Sequence, residues 1–227
     1  MVLSAAAAAA FLVFGADAPP ASEVWRFDNL TKIGGHPATV LGHPRLVDTP
    51  AGKAVEFNGE DDALFVENHP LAGAQDFTWE VIFRPAAGGQ PEQRFFHLSE
   101  RDPKTGADTQ ARMLFEIRVI DNQWCLDSFV GSSDLAHSRT LIDRTKLHSL
   151  ATWHHAAAVY DGHEFRNYVD GVQEGASAVE FVPQGPGHAS IGVRINKVYY
   201  YKGAVYLGRM TRRALTPAEF IKVEGLK

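Results

Sequence analysis

The chain has 227 residues, 45% hydrophobic and 22% charged, a balance that excludes disorder and is long enough for a core without metal or disulfide staples. Acidic residues number 27 against 22 basic, a formal charge of -5, which argues against a nucleic-acid binder with its basic stripe. A single cysteine, Cys125, leaves no internal disulfide and no cysteine cluster for zinc, while 14 Phe, 6 Tyr and 4 Trp point to an aromatic, β-rich core.

In chain order, residues 1–18 come first. An apolar run from Val2 to Phe14 ends in Ala16-Asp17-Ala18, a small-x-small cleavage pattern, so this segment reads as a signal peptide and the chain as exported. It lacks the usual basic start and is too short to span a bilayer, and no other segment is apolar enough to do so. From Val24 onward, Gly, Pro, Asn or Asp punctuate the chain every eight to twelve residues or so, and the pieces between them alternate with period two. Residues 77–84 place Phe77, Trp79, Val81 and Phe83 on one face and Thr78, Glu80, Ile82 and Arg84 on the other. Residues 113–120 do the same, with Glu116 and Arg118 opposite Phe115 and Ile117. Further strands are predicted at 124–130, 154–160, 165–169, 189–195 and 199–207. Asp170-Gly171 reads as a two-residue type I′ hairpin turn, and Asp161-Gly162 as a second such turn. Thr216-Pro217-Ala218-Glu219 is a capping box opening a short C-terminal helix. No linker or repeat divides the chain, so residues 24–227 are predicted to form one all-β domain of antiparallel strands, a two-sheet β-sandwich or a jelly roll.

Four stretches carry a family resemblance. They are Ala54-Val55-Glu56-Phe57-Asn58-Gly59 through Asp62; Phe77-Thr78-Trp79 through Pro85; Trp153-His154-His155 through Asp161-Gly162, followed by Tyr168-Val169-Asp170-Gly171; and Tyr201-Lys202-Gly203 leading to Arg213-Ala214-Leu215 and Glu219. In this order they resemble the laminin-G-like, concanavalin A-like jelly-roll superfamily over nearly the whole chain from Val24 to Phe220. The resemblance implies that Trp153 packs between sheets. The sequence departs from the family pattern where an acidic pair gives way to Val205-Tyr206-Leu207, and where Asn167 replaces an apolar residue. In many relatives an acidic residue at the first place helps hold calcium, whose ligands are oxygens; Asp61 and Asp62 on a Gly-bearing turn are the remaining candidates for Ca2+.

The superfamily implies either a carbohydrate-binding module or an enzyme. Retaining glycosidases of this fold need paired carboxylates about 5 Å apart, in an E-x-D-x-x-E strand that is absent here. A uronate polysaccharide lyase needs a cation, a base and an acid; His97, Arg118 and Tyr199 are the candidates, although His97 precedes the Arg strand, contrary to the lyase order. The favoured expectation is a secreted module binding polysaccharide or glycoprotein glycans at a concave face or rim, through Glu80, Arg84, Glu116, Arg118, Tyr199 and Tyr201. Tyr199 and Tyr201 would form an exposed stacking pair, whereas Glu80, Arg84, Glu116 and Arg118 share non-core faces where cross-strand ion pairs are the simpler account. His154 and His155 point to opposite faces and cannot ligate one metal, and His155 reads as a hydrogen-bonded core histidine. An adhesion module without a small ligand is the third reading.

Overall fold

A computed structural model describes residues 21–132 and 134–226; the expected signal peptide, residues 1–18, lies outside the described residues. The chain folds into two antiparallel sheets packed face to face, with short 3-10 turns as its only helical elements among the described residues. No helix among them is long and apolar enough to cross a membrane. The eight-stranded sheet runs, edge to edge, Val172–Ala178, Glu164–Val169, His154–Tyr160, Phe77–Pro85, Lys202–Thr211, Gly52–Asn58 and Arg45–Thr49, with Ser22–Arg26 also pairing to Lys202–Thr211. The nine-stranded sheet runs Ser138–Ile142, Gln123–Gly131, Asp108–Ile120, Glu92–Arg101, Gly187–Ile191, Ala63–Val66, His36–Leu41 and Lys32–Ile33, with His148–Ser149 on Gln123–Gly131. Sequence neighbours therefore often sit in different sheets, the topology of a jelly roll.

The alternation read from the sequence decides what lies between the sheets. Phe77, Trp79, Val81 and Phe83 from one sheet meet Phe95, Phe96, Phe115, Ile117 and Trp124 from the other, all at most 1% exposed. Their rings interlock: Phe83 stacks on Phe95 at 4.2 Å and Trp79 lies 4.3 Å from Phe115. Such aromatic contacts add about 0.5–1.5 kcal/mol each to the burial itself.

The turns follow their chemistry with one adjustment. Asp170 (φ 49°) and Gly171 (φ 82°) both lie in the left-handed region, as a type I′ turn requires. The connection at Asp161-Gly162 takes three residues instead, because Asp161 accepts hydrogen bonds from the N–H groups of His163 and Glu164 and turns the chain itself.

Four expectations are corrected. The strand at 189–195 stops at Ile191, because Gly192 adopts φ 85° and hydrogen bonds at Gly192 and Tyr201 close a loop over 192–201. A side chain on Gly192 would strike the Phe57 ring at 2.4 Å, so the kink depends on glycine. The strand expected at 199–207 accordingly begins at Lys202 and runs to Thr211. The terminal helix is only the 3-10 turn Pro217–Glu219, with its capping box formed by the Glu219 carboxylate accepting from Thr216 N–H and hydroxyl. Trp153 packs outside the sandwich, on the eight-stranded sheet beside Ala54, Ile82, Ala204 and Leu226. A bulge between Val205 and Leu207 turns Tyr206 out to meet Trp153 at 6.2 Å.

Asn167 occupies the inner face as expected, 2% exposed; it donates to the Leu141 carbonyl, while its own carbonyl oxygen is buried without a partner.

Candidate functional site

The outer faces of the two sheets differ in what lies on them. On the eight-stranded sheet the C-terminal segment folds back across the strands. Leu215 and Phe220 pack on Ala157, Val159 and Tyr168, and Leu226 packs on Ala54, Ile82 and Trp153. Beneath this cover, Glu80 is fully buried. Its carboxylate accepts from Arg209 at 2.5 Å and from the Ile221 N–H at 2.8 Å, and lies 3.1 Å from His155 Nε2. Burial alone would raise its pKa, but these hydrogen bonds outweigh it and hold Glu80 below its ordinary value. Arg84, on the same face, pairs with Glu56 at 3.5 Å and lies over the Trp153 ring at 5.1 Å. Glu80 is thus locked into the fold, while Arg84 lines a shallow cavity of about 680 Å³ with Pro50, Thr152, Trp153 and Leu226.

No hydrophobic cluster lies on the outer face of the nine-stranded sheet among the described residues. The register there sets out parallel rows of side chains, because residues directly opposite on paired strands share a face. One row crosses six strands: Thr39 and Phe65 pair, then Phe65 with Ser190, Ser190 with His97, His97 with Leu114, and Leu114 with Phe129. Phe65 and Phe129 flank its centre, each beneath a cation: Lys197 Nζ lies 5.9 Å from the first ring and the Arg112 guanidinium 4.7 Å from the second.

A second row carries charge. Arg94 opposes Glu116, which opposes Asp127; in the next row Glu92 opposes Arg118. Arg94 donates to Glu116 at 2.7 Å and to Glu92 at 3.1 Å. Arg118 donates to Asp127 at 2.8 Å and Glu116 at 3.0 Å and pairs with Glu92. Two guanidiniums thus hold three carboxylates, and Glu116 and Asp127 are both under 5% exposed. Burial and the neighbouring charge of Asp127 push Glu116 up to about 7, against the pull of Arg94 and Arg118.

His97 is 2% exposed, and its Nδ1 accepts from the Ile195 N–H at 2.9 Å, which leaves the ring proton on Nε2. Burial first, then the charges of Arg194 and Arg112, keep its pKa well below the usual histidine range. Tyr199, in the left-handed region at φ 61° on the loop after Gly192, is 39% exposed and stacks under the Arg94 guanidinium at 3.8 Å.

Of the residues singled out in the sequence, Glu116, Arg118, His97 and Tyr199 belong to this side of the molecule; Glu80 and Arg84 belong to the other. The expected Tyr199–Tyr201 stacking pair does not form. Tyr201 is wholly buried in the core against Phe57 and Phe95 and offers no ring to a ligand. The three lyase candidates do not converge as a free cation, base and acid. Arg118 is held by three carboxylates, His97 Nδ1 by a backbone N–H, and Tyr199 lies under Arg94. Asp62 directs both oxygens into the turn, accepting from His43 N–H at 2.6 Å and Asn58 N–H at 3.0 Å, and Asp61 accepts from the Asn58 side chain. Among the described residues no group of three or more His, Cys, Asp or Glu is placed to hold a metal ion. Sequence reasoning missed Arg94, Arg112, Asp127, Phe129 and Arg194. The strand of Asp127 and Phe129 was recognised, but the row that joins them to Glu116 and Leu114 exists only once strands are paired.

The sandwich with one sheet covered and the other bearing rows of polar and aromatic groups defines a class, the jelly-roll domains. The profile of the concanavalin A-like lectin/glucanases superfamily matches residues 58–220, and the chain belongs to that family. No curated protein matches it in sequence. Among solved structures it resembles domain 4 of an extracellular arabinanase from Geobacillus stearothermophilus in complex with arabinotriose, with 20% identity and a TM-score of 0.61, covering 87% of this chain and 94% of that one. It also resembles the ligand binding domain of botulinum neurotoxin serotype D in complex with N-acetylneuraminic acid (10% identity, TM-score 0.62, 86% of this chain and 48% of that one). The binding domain of Paraclostridial mosquitocidal protein 1 is similar at 14% identity and TM-score 0.61, over 87% of this chain and 50% of that one. The chain thus spans about half the length of these two toxin domains. At such identities the likeness establishes the fold alone.

Proposed function

We propose that this domain is an exported carbohydrate-binding module whose ligand lies on the outer face of the nine-stranded sheet. The observation that carries the reading is the pair of partly exposed rings, Phe65 and Phe129, at either end of a row whose middle residues Ser190 and His97 are bound by the loop after Gly192, beside an ionic network of Glu92, Arg94, Glu116, Arg118 and Asp127. Sugars present an apolar C–H face and a rim of hydroxyls, and such a floor offers a surface for each. The arabinotriose and N-acetylneuraminic acid complexes of its structural neighbours support the reading by fold analogy. Export rests on the apolar stretch Val2 to Phe14 and the Ala16-Asp17-Ala18 site.

The test is a panel of neutral and acidic polysaccharides, with retention and product both measured. Retention of at least one glycan without product is expected, weakened about tenfold or more by Phe129→Ala. The same panel tests the uronate lyase reading, whose one support is that His97 and Arg118 share this face. Ultraviolet absorbance of an unsaturated uronate, abolished by His97→Ala, would replace the binding reading with it. Silence in both assays would leave the adhesion module. N-terminal sequencing of the exported protein is expected to start between Ala18 and Ser22, and a retained Met1 would refute export by cleavage.

A further inference from the structure

The charges on the nine-stranded face are not evenly matched. Arg94 and Arg118 are each surrounded by carboxylates. Arg112, Arg194 and Lys197 form no ion pair among the described residues; Arg112 lies over Phe129 of this row, Lys197 over Phe65, and Arg194 precedes the Ile195 whose N–H binds His97. Arg112 donates to the Gln110 carbonyl at 2.9 Å, yet its Nε is buried with no partner. The Nε2 of His97, which carries the ring proton, is likewise buried with no partner. His97 lies diagonally across from Arg112, since Ser99 opposes Arg112 and His97 opposes Leu114. Arg194 follows on the loop whose Ile195 N–H holds the imidazole. Burial, and after it the charge of Arg194, lowers the pKa of Arg112, so the two guanidiniums sit within reach of each other's repulsion. A folded domain normally matches half-buried cations and buried donors with partners of its own. Here the fold brings them together with Glu116 as the acidic charge acting on Arg112, and that charge forms no ion pair with it.

We propose that Arg112, Arg194 and the Nε2–H of His97 form an anion subsite that takes the carboxylate or sulfate group of an acidic sugar. The proposal rests on the glycan-binding reading and deepens it. Guanidinium forks match planar carboxylates and sulfate oxygens with paired hydrogen bonds. The neutral imidazole N–H adds a donor without adding repulsion. Phe129 beneath Arg112 holds that guanidinium in place by a cation–π contact at 4.7 Å. The network of Glu92, Glu116 and Asp127 alongside repels a second anion and so fixes which end of the ligand carries the charge.

The experiment is titration calorimetry of the whole domain with two matched pairs: an oligogalacturonate against its methyl ester, and a sulfated oligosaccharide against its desulfated form. The acidic member of one pair is expected to bind about tenfold or more tightly than its neutral partner, and the pair that shows this names the anion. Arg112→Gln and Arg194→Gln should each erase most of that preference while leaving neutral binding within about twofold. Arg194 lies on a loop, so its variant keeps the test open should Arg112→Gln fail to fold. The preference should also shrink between low and high salt. Equal affinity within both pairs, or a preference that survives both variants, would overturn the anion subsite and leave glycan binding standing. Binding of no saccharide at all would overturn both.

Discussion

Glu80 and Glu116 are both buried glutamates on strands that alternate in the same way, and they have been put to opposite uses. Glu80 lies under the C-terminal segment with three donors around one carboxylate, so its charge is more than matched. Glu116 lies on the outer face of the other sheet, sharing its two arginines with Glu92 and Asp127, so its charge is contested. One carboxyl is held below its ordinary pKa and the other pushed up to about 7. Burial alone does not set a carboxylate's behaviour; the ratio of donors to charges around it does.

The largest effect that would sharpen this contrast is expected from Glu80→Ala. It strands Arg209, His155 and the Ile221 N–H under the cover, and should cost about 3–5 kcal/mol in urea unfolding. Asp127→Ala should cost clearly less, since Arg118 retains Glu92 and Glu116. Equal losses would mean that the two faces are not different in kind.

Next comes the cover itself. Phe220 is 4% exposed against Tyr168 and His155, and Phe220→Ala should cost about 3 kcal/mol. The same variant should leave the glycan affinity proposed for the other sheet unchanged. A parallel loss of affinity would show that the faces are coupled through the core.

The pH response divides the two faces by sign. Glu80, depressed in the fold, contributes stability that is present above its unfolded pKa near 4.5 and lost as pH falls through its lower folded value. Glu116, raised in the fold, contributes stability that is present below about 4.5 and lost as pH rises through about 7. Glu116→Gln should therefore flatten the decline between those limits and leave the acid limb intact. Carboxyl resonances followed by NMR should place the Glu116 midpoint near 7, moving down in Asp127→Asn. A midpoint in the ordinary carboxylate range would show that Arg94 and Arg118 dominate.

The smallest effect is expected at the acidic turn. With both Asp62 oxygens engaged by backbone N–H groups, a chelator should move the melting temperature by no more than about 1 °C, whereas a single kcal/mol would move a domain of this size about 2–4 °C. A larger fall would require a bound cation in the turn.

The strands and the hairpin at Asp170-Gly171 were legible because a period-two alternation and a turn that demands positive φ leave marks in the sequence. Which sheet a strand joins leaves none. Alternation sorts Glu80 and Glu116 to the outside of their strands and is silent on whether those outsides coincide, so they could look like members of one site. The cover was invisible for a different reason. Leu215, Phe220, Ile221 and Leu226 have neither helical nor strand spacing, and they become a hydrophobic surface only when laid across strands from elsewhere. A strand begun at Tyr199 turns Tyr201 outward; once the loop after Gly192 ends at Tyr201, that residue becomes the anchor at its base.

Both described ends of the chain lie on the same sheet. Ser22 pairs with Thr211 at its side, and Leu226 packs against its outer surface. The outer rows of the nine-stranded sheet therefore lie on the opposite side of the sandwich from Leu226. A bead, a surface or a fused partner joined beside Leu226 would hold the domain from behind. The array of rings and guanidiniums would then be presented outward, toward a polymer too large to enter a cleft.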